Sequence, residues 1–190
     1  MLVGLDNAGK SSIALAMTRQ TNLLSYYSVR PTVGIRRVEA SCEEPGVGGG
    51  GGGGFVVWDL GGQAAYRADF GNRFEEVARG AFRIVFVVDV LDVERYDEAL
   101  DFLKKVLDLT RRHFPDVRFS VFFHKWDPWV EVDDDPGGIN ASVDRLVTEV
   151  RKVISDCSIE VRLFKTSIFT TFRVIDVPAR DVLGGQRPGD

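Results

Sequence analysis

Short bursts of Val, Ile and Phe alternate along this chain with longer stretches in which apolar residues recur every three or four positions. The first pattern suits strands buried within a sheet and the second suits helices with one apolar face, so the alternation predicts βαβ units around a mostly parallel sheet. Strands are expected at Leu2–Gly4, Ile35–Ser41, Phe55–Asp59, Phe82–Asp89, Arg118–Phe123 and Glu160–Phe164. Helices are expected at Lys10–Gln20, Asn72–Arg79, Glu94–Phe114 and Ala141–Asp156. The third helix is the clearest, with Leu100, Leu103, Val106, Leu107 and Phe114 at helical steps and Lys104, Lys105 and Asp108 between them. A closing helix is poorly written: Thr170–Val177 is rich in β-branched residues, and Pro178 and Gly184-Gly185 interrupt the chain beyond it, so residues 178–190 read as a frayed tail.

The second and third strands flank a glycine tract, Gly46 and Gly48–Gly54, and form an antiparallel edge hairpin with a stretched, flexible loop. Loop closure costs only about 0.6 kcal/mol per doubling of length, so the tract is tolerable for stability. A phosphate-cradling role would need a strand leading into a helix, whereas this tract leads from strand to strand. At 190 residues and 44% hydrophobic positions the chain can bury one sizeable core, which bounds it to one domain over 1–190 and excludes bulk disorder. The formal charge of −4 argues against a non-specific nucleic-acid binder, so any polyanion must be gripped locally. Cys42 and Cys157 have no metal-ligand spacing. No apolar run approaches the roughly 20 residues of a spanning helix, and no signal pattern or lipidation box is written, which makes the cytoplasm the default location.

The strongest chemical signal is Gly4-Leu5-Asp6-Asn7-Ala8-Gly9-Lys10-Ser11, a full G-x-x-x-x-G-K-S between a strand stub and a helical stretch. Glycines there let successive amides point inward at a phosphate, with Asp6, Asn7, Ala8 and Ser12 lining the same turn. Lys10 supplies a point charge for the β and γ oxygens, and the Ser11 hydroxyl can bind Mg²⁺ at a helix amino terminus. Downstream, Trp58-Asp59-Leu60-Gly61-Gly62-Gln63 places a carboxylate at a strand end, suited to the Mg²⁺ shell. The amide of Gly62 is placed for a γ-phosphate, and Gln63 for the attacking water. Thr32, in Pro31-Thr32-Val33-Gly34, offers a hydroxyl that would complete the Mg²⁺ shell only when a γ-phosphate is present. The base-reading candidate is His124-Lys125-Trp126-Asp127: Asp127 can accept from both N1-H and the N2 amine of guanine, a donor pair adenine lacks, while Lys125 lays its stem along the base. The alternative for His124 alone, the lesser of its two readings, is a strand-end core histidine. Thr166-Ser167-Ile168, after the last strand, resembles the segment from which guanine-nucleotide-binding proteins offer a backbone N-H to the guanine oxygen, which would make Ser167 and Ile168 the donors.

In this order the motifs resemble those of a small GTPase of the Ras superfamily across almost the whole chain. The phosphate loop and Trp58–Gln63 are Arf-like; His124 in place of Asn, Thr166-Ser167-Ile168 and the stretch from Phe82 through Asp127 are similar to Rag/Gtr GTPases. The resemblance implies a three-layer P-loop G domain binding GTP or GDP with Mg²⁺. It implies slow hydrolysis of GTP to GDP and phosphate, and switch segments read by an exchange factor, an activating protein and an effector. Rag proteins pair through a carboxy-terminal domain and Arf proteins carry an acylated helix before the phosphate loop. With 23 residues after Ser167 and three before Gly4, neither membrane anchor nor dimer apparatus is expected here, though a GTPase–GTPase dimer stays open. The three-residue first strand is short for a sheet centre and suggests that the true start lies upstream.

Asp6 could lie near the γ-phosphate and Gln63, where like-charge repulsion predicts slow turnover without a partner. Arg30 reads as a solvated loop arginine rather than an in-cis finger, Asp133-Asp134-Asp135-Pro136 as a solvated loop rather than half a calcium site, and Trp126 and Trp129 as packing residues. His113 has no partner at telling spacing. Two rivals remain, a GTP-holding scaffold without turnover, which Gln63 opposes, and an adenine-nucleotide P-loop enzyme, which Asp127 opposes.

Overall fold

The computed structural model describes residues 1–17, 32, 34–41, 54–131 and 138–168. Most of the glycine tract, Arg30, Cys42, Asp133–Pro136, the end of the first expected helix, Thr170–Val177 and the tail 178–190 lie outside the described residues. Six strands form one sheet: β1 Leu2–Val3, β2 Ile35–Ser41, β3 Gly54–Leu60, β4 Arg83–Asp89, β5 Arg118–His124 and β6 Val161–Thr166. Between them run α1 Lys10–Met17, α2 Ala64–Ala78, α3 Tyr96–His113 and α4 Ile139–Ser155. The spatial order is β2-β3-β1-β4-β5-β6, parallel throughout except for the β2–β3 hairpin, whose register pairs Ile35 with Leu60 and Ser41 with Gly54. This is the three-layer α/β architecture with an antiparallel edge that the hydrophobic pattern predicts.

Parallel strands covered on both faces read as unbroken apolar runs. Strand β4 illustrates it: Ile84, Phe86 and Val88 face one helical layer, where Phe74, Leu103, Val106 and Leu146 are fully buried. Val85 and Val87 face the other way, against Ala8, Ile13 and Ala14. Each such aliphatic or aromatic side chain removed from water contributes roughly 1.5–3 kcal/mol. Helix α3 carries a sharp apolar stripe, and its acidic start (Asp97, Glu98) and basic end (Arg111, Arg112, His113) both suit the helix dipole.

Helix α2 begins eight positions earlier than the pattern predicts, at Ala64 rather than Asn72. Gly71-Asn72 reads locally as a break, but Phe70, Phe74, Val77 and Ala78 form one buried stripe spanning it, and the Phe70 ring packs edge-on against Phe74 and Phe102. Tertiary burial outweighs the roughly 1 kcal/mol cost of a helical glycine. His113, without a partner at telling spacing along the chain, meets one in space: its Nδ1 lies 2.8 Å from Glu75 Oε1, where α2 packs against α3.

Parallel order with β1 at the centre places the loops after β1, β3, β4, β5 and β6 along one edge of the sheet. In open α/β sheets that carboxyl edge is where ligands bind.

Candidate functional site

The first loop on that edge joins β1 to α1 and contains Gly4–Gly9. Asn7 at φ 60° and Gly9 at φ 86° turn the chain back on itself, so that the loop wraps toward the start of α1. Ala8 is buried, Asn7 is exposed, and Asp6, Ser11 and Ser12 are half-buried around the turn. The buried Lys10 amine sits inside this wrap, donating to the carbonyls of Leu5 at 2.6 Å and Gly4 at 3.1 Å. Burial pushes the amine down to about 8, against the pull of Asp59 and Asp6. An ammonium held this way is a strong attractor for a polyphosphate.

Next to it three oxygens converge from three segments. Ser11 Oγ opens α1, Asp59 sits near the end of β3, and Thr32 precedes β2. Ser11 Oγ lies 2.5 Å from Asp59 Oδ2 and 2.9 Å from Thr32 Oγ1, while Thr32 Oγ1 donates to Asp59 Oδ2 at 2.9 Å. Asp59 is fully buried, and its Oδ1 has no hydrogen-bond partner among the described residues. Such an orphan costs about 1–3 kcal/mol unless something else satisfies it. Two hydroxyls and a buried carboxylate are hard oxygen donors, the set Mg²⁺ takes alongside waters and substrate phosphates, so the residues fit that ion.

Gly61 and Gly62 lead from β3 toward α2. Gly61 N-H donates to Gly34 O at 2.8 Å, and the amide of Asp6 donates to Gly62 O at 3.1 Å. Gly62 presses so closely on the Leu5–Asp6 peptide that no Cβ would fit there. Gln63 is the residue before α2, half-buried, and its carbonyl accepts the amides of Tyr66 and Arg67. Asp6 departs from expectation. Its Oδ1 accepts from Arg95 at 2.9 Å and from Arg67 at 3.4 Å, so two guanidiniums compensate the carboxylate and the repulsion invoked for slow turnover loses its basis.

At the other end of the edge, His124 closes β5 and is 1% exposed. Its Nδ1 lies 3.0 Å from Thr166 Oγ1, and a Cβ on Gly9 would come within 2.7 Å of its Nε2, so the ring bridges the phosphate loop and the end of β6. It is thus both the core histidine and a neighbour of the site. Lys125, at φ 61°, leaves the strand sharply and its amine pairs with Asp89 Oδ2 at 2.6 Å, while Asp89 Oδ1 accepts the amide of Leu91 at 2.9 Å. Asp127 Oδ1 accepts a short hydrogen bond from Ser167 Oγ, bringing together two segments 40 residues apart, with Ile168 half-buried beside them. Trp126 packs edge-on against Phe123, with the Lys165 amine 4.0 Å from its ring centre, as the packing reading requires. Arg67, Arg95, Glu98 and Asp89 were missed by sequence reasoning. Only Asp89 carried a signal, as a carboxylate at the end of an apolar strand.

Burial depresses the His124 imidazole to about 4; the nearby Lys125 also lowers it, against smaller opposing pulls from Asp89, Asp127 and Thr166. Between the unfolded value near 6.5 and about 4 the unfolded chain binds the extra proton, so stability is full above pH 6.5 and falls as pH drops toward 4. The loss amounts to about 3 kcal/mol. Denaturant titrations at about pH 7 and about pH 4.5 are expected to show it, and His124→Asn is expected to flatten the difference.

Among the described residues no helix is long and apolar enough to cross a membrane. The family model described as "Gtr1/RagA G protein conserved region" matches residues 1–172. "ADP-ribosylation factor-like protein 2" of Dictyostelium discoideum is 29% identical over 127 residues, 67% of this chain and 59% of that protein. "ADP-ribosylation factor-like protein 3" of Caenorhabditis elegans is 32% identical over 110 residues, 57% of this chain and 50% of that one. The chain thus spans about half to three-fifths of the length of these relatives. The solved structure titled "The Structure of the Mammalian SRP Receptor" shares the fold, with a TM-score of 0.60 at 17% identity, over 87% of this chain and 89% of that one. With a family match over nearly the whole chain and the phosphate loop, strand-end carboxylate and base-side segment on one sheet edge, the chain belongs to the Gtr1/RagA family of Ras-superfamily small GTPases.

Proposed function

We propose that this protein is a guanine-nucleotide switch that hydrolyses GTP to GDP and phosphate. The observation that carries the reading is the convergence of Ser11, Thr32 and Asp59 beside Lys10, with the Asp127–Ser167 pair along the same sheet edge. Gly4, Asp6, Asn7, Ala8, Gly9 and Ser12 form the wall that receives the β-phosphate, and Lys10 bridges to the γ-phosphate. Ser11, Thr32 and Asp59 hold Mg²⁺, whose charge offsets that of the phosphate oxygens. Asp127 accepts from N1-H and N2-H of guanine, Lys125 covers the base, Ser167 and Ile168 offer amides to its oxygen, and His124 spaces the base segment from Gly9.

In hydrolysis a water oxygen bonds to the γ-phosphorus as the bond to the β–γ bridging oxygen breaks, leaving GDP and inorganic phosphate. Gln63 holds that water in line, and Thr32 with the Gly62 amide contacts the γ-phosphate. Loss of that phosphate releases both segments and changes the surface that partners read. Regulatory proteins in the cytoplasm, an exchange factor, an activating protein and an effector, are the expected readers. Single-turnover phosphate release distinguishes the switch from a scaffold. Gln63→Leu is expected to slow release by about tenfold or more while leaving GTP affinity within about twofold. A wild-type protein that binds GTP and releases no phosphate would overturn the hydrolytic reading.

A further inference from the structure

The guanidinium of Arg67, on the first turns of α2, is nearly buried, with 12% of its side chain exposed. It reaches three acceptors on three different elements. They are Asp6 Oδ1 on the phosphate loop at 3.4 Å, Gly62 O on the turn before α2, and Glu98 Oε1 on α3, the last two by short contacts. The backbone carbonyl of Arg67 is held as well, by the Lys105 amine at 3.2 Å. Gly62 O also receives the Asp6 amide at 3.1 Å, so one carbonyl is held by the phosphate loop and by α2 together. Arg95 differs: it bonds Asp6 at the carboxylate (2.9 Å) and at the carbonyl (3.2 Å), and Asp92 at 2.7 Å, without a contact to Gly62.

We propose that Arg67, braced by Glu98, is a positioning residue that sets the preference for triphosphate over diphosphate. It pins Gly62, and with it the start of α2, over the phosphate loop where the γ-phosphate is received. The inference rests on the guanine-nucleotide reading and deepens it. A γ-phosphate that binds a preformed Gly62 position need not order it, whereas a diphosphate gains nothing from that order. Freeing Gly62 therefore weakens triphosphate binding and spares the diphosphate. Arg95 instead holds Asp6 in place whichever nucleotide is bound.

Plain electrostatics makes a different prediction, which separates the two explanations. Removing the Glu98 carboxylate takes a negative charge away from the neighbourhood of a polyphosphate, which on charge alone favours the more highly charged nucleotide. The positioning role predicts the reverse.

Affinities of the full chain for GDP and for a slowly hydrolysed GTP analogue, both with Mg²⁺, test this. Glu98→Gln is expected to lower the triphosphate-to-diphosphate affinity ratio by about two- to fivefold. Arg67→Ala is expected to lower it by about tenfold, and Arg67→Lys to restore part of it. Because the readout is a ratio, a general loss of folded protein does not move it. An unchanged or raised ratio in Glu98→Gln overturns the positioning role. A wild-type chain that binds neither nucleotide overturns the guanine-nucleotide reading, and this proposal with it.

Discussion

Asp127→Ala is expected to lower affinity for GDP and GTP by about 100-fold while leaving the much weaker ADP affinity within a few-fold of the original. Two hydrogen bonds to one carboxylate, each worth about 1.5–3 kcal/mol when charged, set the scale. The site makes the carboxylate available at modest cost: Asp127 is half-buried, so folding does not depend on hiding its charge. Its one described side-chain partner is the exposed Ser167, whose hydroxyl fixes the carboxylate's direction without neutralising it. Ser167→Ala is accordingly a much milder change. Competition of a fluorescent guanine nucleotide by unlabelled GDP and ADP measures both affinities, and equal loss of the two would mean that Asp127 acts on the fold and not on the base.

Lys10→Ala is expected to act on every nucleotide alike, lowering GDP and ADP affinity together by about 100- to 1000-fold. The amine is 6% exposed and held by two carbonyls of its own loop, so it is already desolvated before a phosphate arrives. The usual cost of stripping water from an ammonium on binding is thereby met in folding, which is why its burial lowers its affinity for a proton. Alanine leaves the Gly4 and Leu5 carbonyls without that donor, so circular dichroism and a thermal melt should accompany the binding assay. The contrast between the two substitutions, one selective for the base and one blind to it, is the signature of a site that separates phosphate grip from base choice.

How much of this was legible in the chain depends on whether a feature is local. The phosphate loop, Asp59 at a strand end and the base-side segment are each written within a few consecutive residues, and five of the six strands match their expected ends to within one residue. The sixth, β6, runs two residues beyond its expected end, to Thr166, because its pairing with β5 continues to His124. The beginning of α2 was not legible, because Gly71-Asn72 breaks the local pattern and only the burial of Phe70 and Phe74 carries the helix across it. The environment of Asp6 was not legible at all. Its partners Arg67 and Arg95 lie 61 and 89 residues away, and no spacing in the sequence says that α2 and the turn before α3 meet over the phosphate loop. The same holds for Lys125 and Asp89, which are neighbours only because β4 and β5 pair in register with Asp89 opposite His124. Strand-end chemistry is thus readable from the strand, while the ion pairs that brace it emerge from packing.

The central claim, that a cradle built for phosphate and a carboxylate built for guanine serve one nucleotide, is tested most directly by calorimetric titration of the purified chain with GDP and with ADP, each in Mg²⁺ and in chelator. GDP is expected to bind about 100-fold or more tighter than ADP, with the GDP affinity reduced when Mg²⁺ is withdrawn. Equal affinity for the two purines, or GDP binding indifferent to the metal, would contradict it.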